Sequence, residues 1–136
     1  MSTPVSDLEE MIRRMAPTKA AGVYVFATVP AGTDLAALDP VASVREQEGL
    51  TVVVEESRAR EAGLTPVFRA AWITLNVHSD LGATGLTAAF SAALARAGIG
   101  CNVFAGAYHD HIFVPHELAN EAMTVLQELQ RSDLPR

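Results

Sequence analysis

Two spacings of apolar residues follow one another in the second half of the chain and predict a strand and then a helix. Ile73, Leu75 and Val77 alternate with more polar residues over positions 72–78, which is the two-residue period of a strand. After the loop 79–85, apolar residues recur at helical spacing on one face: Leu86, Phe90, Ala93, Leu94 and Ala97. Gly98 is predicted to end this helix, because glycine takes the left-handed conformation at low steric cost.

The rest of this half predicts two more strands and a last helix. The elements in order are a strand (99–107), a tight turn (108–110), a strand (111–114) and a helix that Pro115 opens. The apolar face of that helix consists of Leu118, Ala122, Val125, Leu126 and Leu129. Residues 132–136 are expected to fray. The order β-α-β-β-α is half of what a sheet with helices on one face requires.

The first half contains the same kinds of element. Ser6 and Glu9 fit a capping box for a short helix that Pro17 ends, with an apolar stripe of Leu8, Met11, Ile12 and Met15. The elements after it are a strand (22–29), a hairpin (41–45 and 50–55), a helix (57–62, closed by Gly63) and a strand (67–77). Gly49, at the tip of the hairpin, is free to take a positive φ. No Gly-, Ser- or Pro-rich linker separates the halves.

The motifs of the second half resemble one known module. A strand is followed by a loop that ends in Gly85-Leu86, then by a helix, and Gly98-Ile99 begins thirteen residues after the loop glycine. This arrangement resembles the ACT domain, a small regulatory module that commonly binds amino acids. The turn Tyr108-His109-Asp110 is similar to that of a narrower branch of the family. The whole chain, including residues 44–50, resembles bacterial proteins that carry two such modules in tandem.

The resemblance implies a fold and a division of the chain. We expect an α+β, ferredoxin-like architecture of two ACT-like βαββαβ-type modules, with an antiparallel sheet and helices mainly on one face. A reduced N-terminal module is expected at residues 1–66 and a C-terminal module at residues 67–136. A continuous strand from residue 67 to residue 77 would make the two halves inseparable.

Charge and cysteine content narrow the partners and the compartment. The net charge of −6 argues against non-specific binding to nucleic acid or to an anionic membrane. One cysteine excludes an intrachain disulfide and a Cys-based zinc site. No signal peptide or membrane span is visible in the sequence. These features predict a cytoplasmic protein without nucleic-acid or membrane partners.

The loop 79–85 is the first candidate site. Free amides at the start of the following helix can hold a carboxylate, and two glycines let a ligand approach the backbone. Asp80 could accept from an amino group and Asn102 could bind the carboxylate, whereas Gly82 and Gly100 stand where the family has Asp and Asn. The candidate ligand-binding residues are Ser79, Asp80, Leu81, Gly85, Leu86, Asn102, Tyr108 and Asp110. The alternative is a capped helix start that binds nothing.

Two further clusters could carry chemistry. His109 and His111, two apart on a strand, would face the same way and could ligate a metal together with His78 or His116. The alternative is a polar turn in which Asp110 bonds local amides. Arg45 could clamp a carboxylate, or could stand exposed at the hairpin tip.

No catalytic motif is present. The sequence has no phosphate loop, nucleophile elbow or dinucleotide fingerprint. We therefore predict no catalytic residue, no metal and no cofactor. The leading hypothesis is a homodimeric regulatory protein that binds or senses a small molecule, with an amino acid as the first choice. The alternatives are a structural or partner-binding module without a ligand, and a metal-dependent enzyme that uses the His cluster.

Overall fold

Seven strands and four helices make up the part of the chain that the computed structural model describes, which is Pro4 and residues 7–131. The strands are β1 (Pro17–Lys19), β2 (Tyr24–Val29), β3 (Ala42–Glu46), β4 (Gly49–Glu55), β5 (Phe68–Leu75), β6 (Asn102–Ala105) and β7 (Asp110–Pro115). The helices are α1 (Leu8–Arg13), α2 (Glu56–Glu61), α3 (Leu86–Arg96) and α4 (Ala119–Arg131). The chain divides into two compact units, one of residues 21–71 and one of residues 1–20 with residues 72–136.

The unit of residues 21–71 is an antiparallel arrangement in the order β3-β4-β2, with the start of β5 beside β2. Glu46 pairs with Gly49, so the predicted hairpin is confirmed and turns over Gln47 and Glu48. Gly49 has φ +149°, and a Cβ there would lie 3.0 Å from the carbonyl oxygen of Val29. The core of this unit consists of Val25, Ala27, Val29, Leu38, Val52, Val54 and Ala59.

The second unit begins with α1 and with a strand that the sequence pattern did not predict. Asp7 caps α1, its Oδ1 accepting from the Glu10 amide at 2.9 Å, whereas Ser6 of the predicted capping box lies outside the described residues. The helix ends at Arg13 rather than at Pro17. Pro17 instead starts β1, which pairs antiparallel with residues 73–75 of β5. Three residues are too few for a two-residue period to show in the sequence.

Helix α3 ends as predicted. Gly98 has φ +76°, its amide donates to the Ala95 carbonyl and the Ile99 amide donates to the Leu94 carbonyl, both at 2.9 Å. These two bonds are those of a glycine-terminated helix end. Leu86, Phe90, Ala93 and Leu94 are buried, so the predicted apolar face of the helix is confirmed except at exposed Ala97.

The two strands after α3 differ in extent from the prediction. The predicted strand 99–107 is shortened to β6, because the Gly106 amide bonds the His109 carbonyl at 2.9 Å and closes a turn. Pro115 ends β7 instead of opening a helix, since its ψ of 132° is extended. A 3-10 turn (His116–Leu118) leads into α4, which buries Ala122, Leu126 and Leu129. The predicted fraying of residues 132–136 lies outside the described residues.

The α+β class with antiparallel strands is confirmed. In the second unit the strand order is β5-β7-β6, with β1 also beside β5. Adjacent residues of a strand point to opposite faces. The Trp72 ring stacks on Phe113 with centroids 6.1 Å apart, so Trp72, His111 and Phe113 share one face of the strands and Asp110 lies on the other.

Candidate functional site

The loop that follows β5 is held by Asp80. Its Oδ1 accepts from the Gly82 amide at 3.0 Å, and its backbone carbonyl accepts from the Ala83 amide at 2.9 Å. An aspartate that bonds the amide two residues on is a standard way of closing a tight turn. Asp80 therefore shapes the loop that enters α3.

The start of α3 offers amide donors without a side-chain cap. Gly85 is the N-cap residue, with φ +107° and ψ −29°, and it has no side chain that could accept from the helix. The first intrahelical bond runs from the Ala89 amide to the Gly85 carbonyl at 2.9 Å. The amides of Leu86, Thr87 and Ala88 consequently have no acceptor within the helix, and the helix dipole favours an anion beside them.

The side chain of Leu8 packs against Gly85, in the space that a Cβ at this position would need. A Cβ at this position would lie 3.1 Å from Cδ2 and 3.2 Å from Cδ1 of Leu8. A glycine at position 85 would let a ligand approach the backbone, as expected from the sequence. The structure gives it a second reason, because α1 packs Leu8 against the start of α3.

A cavity lies between the loop, the start of α3 and the β6–β7 strand pair. Its volume is about 140 Å³. Six of the eight candidate residues line it: Ser79, Asp80, Leu81, Gly85, Leu86 and Asp110. The structure therefore brings together residues that are up to 31 positions apart in the sequence, from Ser79 to Asp110.

Four lining residues were not among the candidates: Met11, Ala83, Thr87 and Ala105. Thr87 and Ala83 could have been found as sequence neighbours of the loop and the helix start. Ala105 pairs directly with Asp110 across β6 and β7, whereas the predicted turn at 108–110 would have placed residue 107 opposite residue 111. Met11 comes from α1, and no local pattern indicates where that helix packs.

Asp110 is the buried polar residue of this cavity. Its exposed fraction is 8%, and burial raises the pKa of its carboxyl group, with a smaller opposing effect from His111. The alternative role for Asp110 is a hydrogen bond to local amides of its turn. Among the described residues, no amide or cationic side chain makes a hydrogen bond or ion pair with this carboxylate. Asp110 is one of the residues that line the cavity.

Asn102 and Tyr108 lie away from the cavity. The Asn102 side-chain amide is 3.4 Å from the Phe113 carbonyl, which it faces as a weak donor on β6. Tyr108 is 58% exposed, and its ring centroid is 5.3 Å from that of His78. Neither residue is among those that line the cavity.

The histidines do not form a metal site within the described residues. No group of three His, Cys, Asp or Glu side chains converges there. His109 and His111 have ring centroids 6.5 Å apart, and Nδ1 of His111 lies 3.1 Å from both the Trp72 indole nitrogen and the Thr74 hydroxyl. Nδ1 of His116 is buried without a hydrogen-bond partner among these residues.

The remaining candidates are surface or packing features. Arg45 is exposed and lines a shallow groove with Gly32 and Ser43. Cys101 is half-buried, and burial raises the pKa of its thiol to about 11, so it is a poor nucleophile at neutral pH. No helix in the described part of the chain has both the length and the apolar character needed to cross a membrane.

The chain is similar in sequence and in structure to proteins of one family. Two family models of the ACT domain match the chain, one over residues 3–71 and one over residues 67–128. No protein of curated function matches it. A crystal structure of a protein of unknown function from Vibrio cholerae, described as a possible transport protein, is 49% identical, with a TM-score of 0.83 over 91% of this chain and 96% of that one.

Two more distant structures share the fold. A protein from Agrobacterium tumefaciens is 20% identical, with a TM-score of 0.62 over 84% of this chain and 87% of its own. The regulatory subunit of aspartate kinase from Thermus flavus is 12% identical, with a TM-score of 0.63 over 83% of this chain and 95% of its own. The predicted ferredoxin-like fold of two tandem modules is thus confirmed. The chain belongs to the ACT-domain family and carries two ACT modules.

Proposed function

We propose that the protein is a regulatory protein that binds a small molecule in the cavity at the start of α3. Membership of the ACT family supports a ligand-binding regulatory role, because ACT modules are regulatory rather than catalytic. The observation that carries the site is the meeting of uncapped α3 amides with the loop 79–85 and Asp110 around one cavity. An amino acid is our first choice of ligand.

The size of the cavity limits the ligand. Its volume of about 140 Å³ is below the roughly 300–1,000 Å³ of sites that hold drug-sized molecules. A compound of the size of a small amino acid suits it. A nucleotide would extend well beyond the lining residues.

The start of α3 could bind the carboxylate of such a ligand through its backbone amides. The amides of Leu86 and Thr87, two residues that line the cavity, present partial positive charge, and the carboxylate of an amino acid can accept from them without any cationic side chain. The fold of the Thermus flavus regulatory subunit of aspartate kinase is consistent with a regulatory role, although its sequence identity of 12% shows the fold alone.

A second candidate function is partner binding without a ligand. Strand β3 ends the strand order of its unit, and its residues 43–46 are exposed, including Val44 at 45%. Edge strands of this kind pair with other chains. On this basis we also propose a homodimer. A cytoplasmic location remains part of the proposal, because a single cysteine suits a reducing compartment. We also propose that nucleic acids and membranes are not partners, because the net charge is −6.

A thermal-shift panel tests the ligand hypothesis. Amino acids, nucleotides and divalent metals are each added to the purified protein, and a ligand at ~100 times its Kd should stabilise it by about 2.7 kcal/mol. Ala105→Leu should abolish the shift by filling the cavity. Ala107→Leu is the matched control, because Ala107 is exposed and does not line the cavity. Equal shifts in both variants would place the site elsewhere.

A further inference from the structure

A second depression runs along α3 and is larger than the cavity described above. Its volume is about 330 Å³, within the roughly 300–1,000 Å³ of sites that hold small molecules. The residues of α3 and its N-cap that line it recur on one side of the helix: Gly85, Ala88, Ala89, Ala92 and Arg96. Leu8 of α1 and Leu129 of α4 complete the lining. We call this depression the α3 groove, and all of its residues belong to one unit of the chain.

Helix α3 presents apolar residues on its exposed side as well as on its buried side. Its buried residues are Leu86, Phe90, Ala93 and Leu94. Its exposed residues include Ala88, Ala92 and Ala95. A helix that is apolar all round is typically covered on every side. The exposed alanines therefore mark a face against which a further apolar group can pack.

The lining of the α3 groove carries one positive charge and no negative charge among the described residues. The charged residue is Arg96, which is exposed and lies at the C-terminal end of α3. The ion pairs between described residues involve other arginines, at positions 13, 14, 60 and 69. A guanidinium group binds a carboxylate through parallel N–H donors. An apolar surface that ends at such a group is complementary to a molecule with an apolar tail and one negative charge.

We propose that the α3 groove binds a medium-chain carboxylate such as octanoate, with the carboxylate on the Arg96 guanidinium and the acyl chain along the alanines. The groove follows α3 from Gly85 to Arg96, which is about 16 Å at 1.5 Å per residue. This elongated shape suits a straight chain better than a compact molecule. The α3 groove shares only Gly85 with the cavity of the proposed function, and its ligand does not depend on that function.

Titration calorimetry with a homologous series tests the fit of the acyl chain. Hexanoate, octanoate and decanoate are added separately to the wild-type protein. Octanoate should bind with a Kd of the order of a millimolar or below. The affinity should rise by up to about fourfold for each added methylene group, because each one is removed from water. This measurement does not depend on the folding of any variant.

Two pairs of variants locate the ligand. Ala92→Glu places a carboxylate in the groove one helical turn before Arg96, and it should weaken octanoate binding roughly three- to tenfold through repulsion and competition for the guanidinium. Ala95→Glu adds the same charge to an exposed position of the same helix outside the groove, so it is the matched control. Arg96→Gln should reduce the preference for octanoate over neutral 1-octanol by roughly two- to fivefold. Arg131→Gln, outside the groove, should leave that preference unchanged.

The outcomes separate this inference from the proposed function. Absence of binding, an affinity independent of chain length, or equal octanoate affinities in Ala92→Glu and Ala95→Glu would overturn the α3 groove as the site. An unchanged preference for octanoate in Arg96→Gln would overturn the assignment of the carboxylate to this residue. Ala105→Leu, which fills the first cavity, should leave octanoate binding unchanged. The two sites can therefore fail independently.

Discussion

The indole N–H of Trp72 donates to Nδ1 of His111 at a distance of 3.1 Å. An indole nitrogen can only donate, so Nδ1 of His111 must be the unprotonated nitrogen of a neutral ring whose proton is on Nε2. Protonation of the ring would place two donors against each other. Burial, together with His109, lowers the pKa of His111 in the same direction.

Replacement of Trp72 by phenylalanine should raise the pKa of His111. The donor that requires a free Nδ1 is removed, while an aromatic ring stays against Phe113. The measurement is an NMR titration of the histidine ring protons in the two proteins. A His111 titration that does not change in Trp72→Phe would show that the indole N–H does not determine the protonation of this ring.

Asp110→Asn should stabilise the free protein at neutral pH. In the folded state the pKa of Asp110 lies above 3.8, so the folded protein binds more protons than the unfolded chain between those two values. The free energy of unfolding therefore falls as the pH rises through this window, and the penalty is complete above it. We expect the variant to be the more stable protein at neutral pH, because burial disfavours the charged form of Asp110 and the asparagine amide is uncharged.

The same pair of proteins supplies the control. The pH-dependent part of the difference should vanish as the pH falls below the ordinary carboxyl value of 3.8, because Asp110 is then protonated in both the folded and the unfolded wild-type chain. Urea denaturation at several pH values measures the difference. A constant difference across the pH range would mean that the carboxylate is not the source of the effect.

Gly85→Ala should destabilise the protein more than Gly98→Ala. Both glycines have positive φ, +107° and +76°, so each substitution carries backbone strain of about 1–2 kcal/mol. Only at Gly85 would the new Cβ meet another side chain, that of Leu8, at 3.1 Å. The excess cost at Gly85 should be relieved by Leu8→Ala in a double-mutant cycle. Equal losses of unfolding free energy in Gly85→Ala and Gly98→Ala would show that the Leu8 side chain can move aside without a measurable cost.

The fragments 1–66 and 67–136 should not fold alone. This cut removes β1, which pairs with residues 73–75, and it removes Met11, Ile12 and Met15, each 0% exposed, from the unit that contains α3 and α4. The other fragment loses the β5 residues that pair with β2. Circular dichroism should show no cooperative thermal transition in either fragment. Two soluble fragments that each melt cooperatively would contradict the prediction.

The protein should sediment as a dimer at micromolar concentration. The edge strand β3 exposes Val44, and β6 ends the order of strands on its side. A charge on the edge strand that forms the interface should weaken association. If only Val44→Lys dissociates the dimer, the interface is at β3; if only Asn102→Lys does so, the interface is at β6. A monomeric wild-type protein at these concentrations would rule out the proposed assembly.

Short-range chemistry explains which parts of the fold the sequence predicted. Gly98 and Gly49 have the positive φ expected of them, because a helix end and a tight hairpin each require a conformation that few other residues adopt. The apolar face of α3 was visible because eleven residues hold three helical turns. Strand β1, in contrast, exists only through its pairing with β5. Pro115 fits a helix start and a strand end equally well by its φ, and ψ decides between them.

The candidate site follows the same rule: residues close together in sequence were predicted, and residues that meet only through packing were not. The loop residues from Ser79 to Leu86 are neighbours in sequence, so the turn and the helix start identified them together. The resemblance to the ACT branch placed Asp110 in the turn after the second strand, but its pairing with Ala105 across β6 and β7 was not predicted. Met11 could not be found, because its position depends on the packing of α1. The burial of Asp110, from which its chemistry follows, also depends on packing that no local pattern contains.

The division of the chain into units has a consequence for the order in which the protein folds during synthesis. The unit of residues 21–71 is continuous in sequence, so the ribosome delivers all of its strands before α3 exists. Helix α1 and strand β1 are made first, yet their partners lie in residues 72–131 and emerge last. The apolar face of α1, with Met11, Ile12 and Met15, must therefore stay without its native cover for most of translation.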